Sequence, residues 1–216
     1  PIFLGNLFQQ LYNTVDSLIV GNFLGSSALA AVSSSGSLIF MLIGFLSGIS
    51  AGAGVIVARF FGAGDEKNLQ RAVHTTVAFG LVAGVLMTGV GVALSPQILR
   101  WMDTPESVMR ESVTYLQIYF AGSLGFVMYN VLVGILQAVG DSRHPLYYLI
   151  VSSVINLVLD LLFITGFHTG VGGAAVATVI SQIVSALLCF WQLLRTKESY
   201  GLKIRKIRFD KGILVQ

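Results

Sequence analysis

Residues 146–165 read LYYLIVSSVINLVLDLLFIT, twenty positions with a single charged side chain, Asp160. A helix needs about 20 apolar residues to cross a bilayer, and this run has that length. Its polar residues are not scattered. Ser152, Asn156 and Asp160 recur every fourth position, a spacing that puts all three on one helix face. The run therefore predicts a membrane-crossing helix that is apolar on most sides and carries an acidic stripe on one.

Similar runs occupy residues 1–24, 28–58, 72–94, 113–138 and 171–194, so the chain is expected to be all-α, a polytopic membrane bundle of about six transmembrane helices. Composition agrees. The 216 residues are 55% hydrophobic and only 11% charged, against roughly 25% charged in soluble domains, and the mean hydropathy is +0.81. Too little charge is present to coat a soluble surface. The connections carry Gly21, Asn22 and Gly25, then residues 59–71, 95–112 with Pro96 and Pro105, 140–145 and 166–173.

Charge fixes an expected orientation, because cytoplasmic loops accumulate Lys and Arg. On one side stand Arg59, Lys67, Arg71, Arg143 and the seven basic residues from Arg195 to Lys211, and on the other only Arg100 and Arg110. The bias predicts that both ends of the chain face the cytoplasm, in the inner (plasma) membrane of a cell. Residues 1–194 are read as a transmembrane lobe and 195–216 as a basic cytoplasmic linker. The basic tail suits anionic headgroups better than nucleic acid, so the lipid bilayer is the expected partner and nucleic acid is not. The sole cysteine, Cys189, lies in an apolar run, which leaves no disulfide framework and no cysteine-based zinc site. A first residue Pro1 inside an apolar run, without Met or a basic leader, predicts that the natural chain begins upstream.

Within the six runs the carboxylates are Asp16 and Asp160, and no Lys or Arg accompanies them. Intramembrane acids are costly and normally face a protein interior or a water-filled cavity. Both belong to stripes: Asn6, Gln9 or Gln10, Asn13 and Asp16 on the first run, Ser152, Asn156 and Asp160 on the fifth, with Thr178, Gln182 and Ser185 on the sixth. Lipid cannot hydrate such faces, so they are expected to meet in one central site offering carboxylate, amide and hydroxyl oxygens to a proton or to a hard cation such as Na⁺. Ser152, Gln182 and Ser185 are read chiefly as packing contacts, and His74 as an interfacial anchor. Gly44, Gly48 and Gly52, Gly80 and Gly84, and Gly170, Ala174 and Thr178 repeat at four residues, a pattern that lets helices pack closely in lipid. Asp65 after Gly62, Ala63 and Gly64 is expected to cap a helix rather than to belong to a phosphate loop.

At these same residues the sequence resembles the MATE (multidrug and toxic compound extrusion) family, in its prokaryotic DinF-like branch. The likeness is carried by QQLYNTVDSLIVG from Gln9 to Gly21, Leu24-Gly25, Ala28 to Val32 and Ala58-Arg59. It continues with Gly62 to Asp65, with Gln137, Gly140 and Asp141, with NLVLD from Asn156 to Asp160, and with GVGGAAVAT from Gly170 to Thr178. The resemblance implies one six-helix lobe of a twelve-helix antiporter, a transporter and not an enzyme. Such a protein exports small amphipathic, often cationic drugs or toxic compounds against inward H⁺ or Na⁺, and it has a second, C-terminal lobe as partner. Coupling in such a lobe would rest on Asp16, Asn156, Asp160 and Thr178, which would also hold any Na⁺. Asn13, Gln9, Gln182 and, from the fourth run, Asn130 are candidate supporting groups. Pro1 matches a helix-bending proline. No cofactor is implied beyond the coupling ion. Where many relatives carry a basic residue before Gly140-Asp141, this chain has Gln137, Ala138 and Val139.

Two other functions fit an apolar chain with intramembrane acids. A lipid-linked saccharide flippase would be expected to place basic residues in its cavity, and the runs contain none. An intramembrane aspartyl protease would need Tyr-Asp and Gly-x-Gly-Asp, whereas Asp16 follows Val15 and Asp160 follows Leu159.

Overall fold

A computed structural model describes residues 2–214, apart from the side chains of Ile2, Phe3, Asn6, Tyr12, Lys211 and Leu214; Pro1 lies outside the described residues. The elements are helices: α1 (Ile2–Gly62), α2 (Glu66–Trp101), α3 (Glu106–Ala121), α4 (Ser123–Ala138), α5 (Arg143–Leu161), a π-helical turn (Leu162–Gly166), α6 (Gly170–Arg195), a short 3₁₀ turn (Ile204–Lys206) and α7 (Lys211–Leu214). Apolar side chains such as Leu18, Phe23, Phe40, Phe45, Leu86 and Leu187 point outward. In water such a surface would be untenable, and in lipid it is the natural solvent-facing side.

The first helix is 61 residues long, about 90 Å if straight, three times the bilayer's apolar thickness of roughly 30 Å. It is not straight. Gly25 has φ 89° and ψ −179°, outside the helical region, and a Cβ built on Gly21 would touch Leu29 at 3.3 Å. Residues eight apart in a continuous helix are separated by about 12 Å, so the chain turns back at Gly25 and α1 is two arms, residues 2–24 and 26–62. Four helices, α1 among them, are long and apolar enough to span a membrane, and the α3–α4 pair, bent by 50°, adds a fifth. With α1 counted by its arms, the described chain crosses about six times, as the apolar runs predict.

Two boundaries differ from the sequence expectation. Residues 95–101, expected in a loop because of Pro96, continue α2 to Trp101. Proline lacks the N–H that would satisfy the carbonyl four residues earlier, and Gln117 Nε2 donates to that orphaned oxygen, Val92 O, at 3.5 Å. The apolar run 113–138, expected to be one helix, is two. The break falls at Gly122, where a Cβ would lie 2.4 Å from Val179 of α6, so α6 passes where any other side chain would stand. Ser123 Oγ, buried at the bend, donates to Phe120 O at 2.8 Å and contacts Thr88 Oγ1 at 3.0 Å.

Packing follows the small residues in part. Cβ atoms at Gly80, Gly84 and Gly91 would collide with Met128 and Val131, with Leu124 and with Phe120, so α2 lies close against α3 and α4. By contrast Gly44, Gly48 and Gly52 meet nothing within 4 Å; that expected packing face is open. The main core joins Val57, Leu69, Val73, Leu136, Cys189 and Leu193 across α1, α2, α4 and α6. A second core joins Ile19, Val20, Tyr115, Ile164 and Ala174, which seats the first arm of α1 beside α3, the π-turn and α6.

Beyond α6 the chain returns to the start of α2. Leu202 and Ile213 are buried in the main core, and Tyr200 packs edge-on against Phe61 with ring centroids 6.1 Å apart. Asp65 caps α2 as its position predicts, accepting from Asn68 N–H at 3.1 Å. That bond and a second from the Asn68 side chain hold its carboxyl below the ordinary value of 3.8.

Candidate functional site

The stripes of the first arm of α1, α5 and α6 face one another. Asp160, one residue before the end of α5, is fully buried, and Asn156, one turn earlier, is nearly so. In the amide orientation that satisfies both of its ends, Asn156 Nδ2 donates to Asp160 Oδ2 at 2.8 Å and Asn156 Oδ1 accepts from Thr178 N–H at 3.2 Å. Thr178 Oγ1 donates to Ala174 O at 3.0 Å, and Ser181 Oγ to Thr178 O at 2.8 Å. Asn156 therefore bridges α5 to α6 and fixes one oxygen of Asp160.

Asp16 comes from the first arm of α1 and is partly buried. Its carboxyl stands within hydrogen-bonding reach of Asp160. Carboxylates are acceptors only, so this contact requires a proton on one partner or a cation between them; two bare negative charges at that range repel strongly. One oxygen of each, Asp16 Oδ1 and Asp160 Oδ1, is buried with no hydrogen-bond partner among the described residues. Buried polar atoms are normally paired. The site thus presents two unsatisfied carboxyl oxygens and, among the described residues, no basic group, an arrangement suited to a proton or a small cation.

Directly after Asp160 the helix widens into the π-turn, where Phe167 N–H bonds to Leu162 O at 3.0 Å. Thr169 Oγ1 donates to Phe163 O at 2.8 Å and closes the turn. Such turns are rare and concentrate at functional positions. Nothing in the apolar spacing of residues 162–166 signals it.

Of the groups singled out in the sequence, Asp16, Asn156, Asp160 and Thr178 come together in this cluster. Gln9, Asn13, Asn130 and Gln182 instead line a separate cavity of about 240 Å³, with Phe126 and Tyr129 beside them. Asn130 Nδ2 is occupied by Phe126 O at 2.8 Å, and Gln182 Oε1 is buried without a partner among the described residues. Tyr129 escaped sequence reasoning because an aromatic in an apolar run carries no signal of which way it faces. Ser152 and Ser185 are buried in packing positions, Ser152 Oγ bonding to Leu149 O at 3.0 Å. Among the described residues no group of three or more His, Cys, Asp or Glu converges as a metal centre. Any Na⁺ would have to be held with amide, hydroxyl or backbone oxygens besides the carboxylates.

Fold and site together define a polytopic helical membrane protein with a carboxyl pair between its helices. More narrowly, the chain belongs to the MatE family, whose model matches residues 1–162. It is similar to the probable multidrug resistance protein YoeA of Bacillus subtilis (strain 168), with 36% identity over 222 residues that cover 100% of this chain and 48% of that protein. It is also similar to the DNA damage-inducible protein F of Escherichia coli (strain K12), with 28% identity over 87% of this chain and 41% of that one. Among solved structures, a MATE protein in the bent conformation superimposes with a TM-score of 0.91 at 28% identity, over 99% of this chain and 48% of its own length. An inward-facing multidrug resistance MATE family transporter of the MOP superfamily gives 0.87 at 28% identity, over 96% and 47%. The chain spans about half the length of the curated relatives it matches. The solved structures it matches include transporters of this family.

Proposed function

We propose that the chain is the cation-coupling half of an efflux transporter that exports amphipathic, cationic compounds in exchange for H⁺ or Na⁺. Asp16 and Asp160 are the coupling groups, Asn156 and Thr178 position them, and the ion is a transported substrate. The observation that carries this is the facing carboxyl pair with one unpartnered buried oxygen on each side. Loading the pair with a proton or a cation draws α1 and α5 together; emptying it leaves two like charges that favour separation. An ion shifts such an equilibrium only as far as its affinities for the two states differ. A site split between a hinged arm and a fixed helix supplies that difference.

The amide-lined cavity at Gln9, Asn13, Asn130 and Gln182, with its aromatic neighbours, is the proposed place for substrate contact. At about 240 Å³ it is smaller than typical drug-sized sites of roughly 300–1,000 Å³, so a larger pocket requires further walls. A second, C-terminal lobe would supply them, and coverage of about half of the relatives' length supports its existence. The open face at Gly44, Gly48 and Gly52 leaves close-packing surface free for it. The Lys and Arg bias supports a cytoplasmic side for residues 195–216 as a linker.

The test is transport in membrane vesicles by the full transporter that contains this chain, with a cationic dye and imposed gradients of H⁺ and of Na⁺. Dye movement driven by one of the gradients is expected. Movement of a lipid-linked oligosaccharide instead, or dye movement indifferent to both gradients, would overturn the assignment.

A further inference from the structure

Between the first turns of α2 and the returning segment 196–214 lies a cavity of about 910 Å³ at the end of the bundle where α2 begins and α6 ends. Its walls carry Lys67 and Arg71 from α2, and Arg205, Lys206 and Arg208 from the returning segment, against Glu66 and Asp210. Arg71 Nε pairs with Asp210 Oδ2 at 2.6 Å, which cancels one charge of each sign. Arg205, Lys206 and Arg208 form no ion pair among the described residues.

These charges sit on a strap that is held in place. His74 is 3% exposed; its Nδ1–H donates to Gln70 O at 2.6 Å and its Nε2 accepts from Lys203 N–H at 3.0 Å. Gln70 Nε2 donates to Gly201 O at 3.0 Å, and Asp210 N–H to Thr75 Oγ1 at 3.2 Å. Leu202 and Ile213 anchor the two ends in the core. The basic side chains between these anchors are therefore presented at a fixed distance from α2, and are not on a free tail.

Exposed apolar residues alternate with them. Ile204 is 61% exposed and Phe209 47% exposed, next to Arg205 and Arg208. In water neither apolar side chain gains anything. At a bilayer surface both enter the acyl boundary while the flanking cations meet phosphate groups, the pattern of an interfacial anchor.

We propose that the strap and the first turns of α2 form a headgroup site for an anionic glycerophospholipid. Its phosphodiester sits among Lys67, Arg205, Lys206 and Arg208, and its acyl chains lie beside Ile204 and Phe209. The site rests on the membrane fold and not on the coupling site, so either proposal can fail alone.

The test is the phospholipid retained by the full-length protein in detergent micelles mixed with phosphatidylcholine and phosphatidylglycerol, quantified by mass spectrometry. Wild type should enrich phosphatidylglycerol. The triple variant Arg205→Gln/Lys206→Gln/Arg208→Gln should lose that enrichment by about tenfold, an effect on the scale of removing several interfacial charges, whereas Arg100→Gln/Arg110→Gln on the opposite loop should keep it. Lys67→Gln, which leaves the strap intact, should lower it in part, and this variant decides the matter if the triple variant does not fold. No enrichment in wild type, or full enrichment in both the triple variant and Lys67→Gln, would overturn the proposal. So would displacement of phosphatidylglycerol by millimolar inorganic phosphate, which would make the cavity a site for free anions.

Discussion

Asp160 shows how a single residue can be legible in sequence while its role is divided in space. Spacing of four along α5 placed it with Asn156 on one face, and the structure gives each of its oxygens a different state: Oδ2 takes the Asn156 amide and Oδ1 has no partner among the described residues. The amide is then the group that fixes the carboxylate's orientation. Asn156→Ala should reduce gradient-driven efflux by about tenfold or more, since a hydrogen bond to a charged group contributes roughly 1.5–3 kcal/mol, with protein levels in the membrane unchanged. Efflux equal to wild type would show that Asp160 does not need that donor. Of the residues that periodicity put on the three stripes, Asp16, Asn156, Asp160 and Thr178 lie together. The same periodicity could not show that Gln9, Asn13 and Gln182, on the same stripes, face a separate cavity, because a stripe fixes a face and not the depth at which a neighbour meets it.

At the scale of elements, the breaks matter more than the helices. The turn at Gly25 lies where glycine and a change of hydrophobic run coincide, and it was visible. Gly122 was not, because the apolar run passes through it without interruption; the cause of the bend is the passage of α6, a tertiary contact. Gly122→Ala would set a methyl 2.4 Å from the stiff Val179 side chain. Overpacking of this kind costs about 1–3 kcal/mol, so a lowered melting temperature is expected, with partial recovery in Gly122→Ala/Val179→Ala. A different mechanism governs Gly25→Ala: no atom stands within 4 Å of the added Cβ, and the cost of about 1–3 kcal/mol is that of a backbone region open essentially to glycine alone. For that variant no second-site truncation should help. Pro96 misled in the opposite sense, as a proline expected to end α2 lies inside it. Its unpaired carbonyl is met by Gln117 from a neighbouring helix, and no local sequence signal announces such help.

Across the whole molecule, the bundle and its return strap are joined by few polar contacts, and one of them titrates. The Arg71 side chain holds the Asp210 carboxyl below its ordinary value of 3.8. A carboxyl whose value is lowered on folding contributes its stabilisation fully above the ordinary value, and that contribution is lost as pH falls through the lowered, folded one. A spin label at Ser199→Cys, selective because Cys189 is buried, should therefore be ordered at neutral pH and gain mobility below pH 3.8. In Arg71→Gln the label should be more mobile at neutral pH and less responsive to acid; identical titrations would remove the pair from the account. The strap itself was only half legible. Alternating basic and apolar residues marked an interfacial segment, but its docking depends on backbone groups, Gly201 O and Lys203 N–H, that meet Gln70 and His74, and backbone groups leave no trace in residue type.

Asp160→Asn in the full transporter separates coupling from folding when gradient-driven dye efflux from vesicles is measured with the amount of protein in the membrane determined in parallel. Asparagine keeps the shape and can still bond to its neighbours, but it can neither exchange a proton nor balance a cation's charge. Normal insertion and loss of gradient-driven efflux are expected. Efflux retained at the wild-type rate would contradict a coupling role for Asp160.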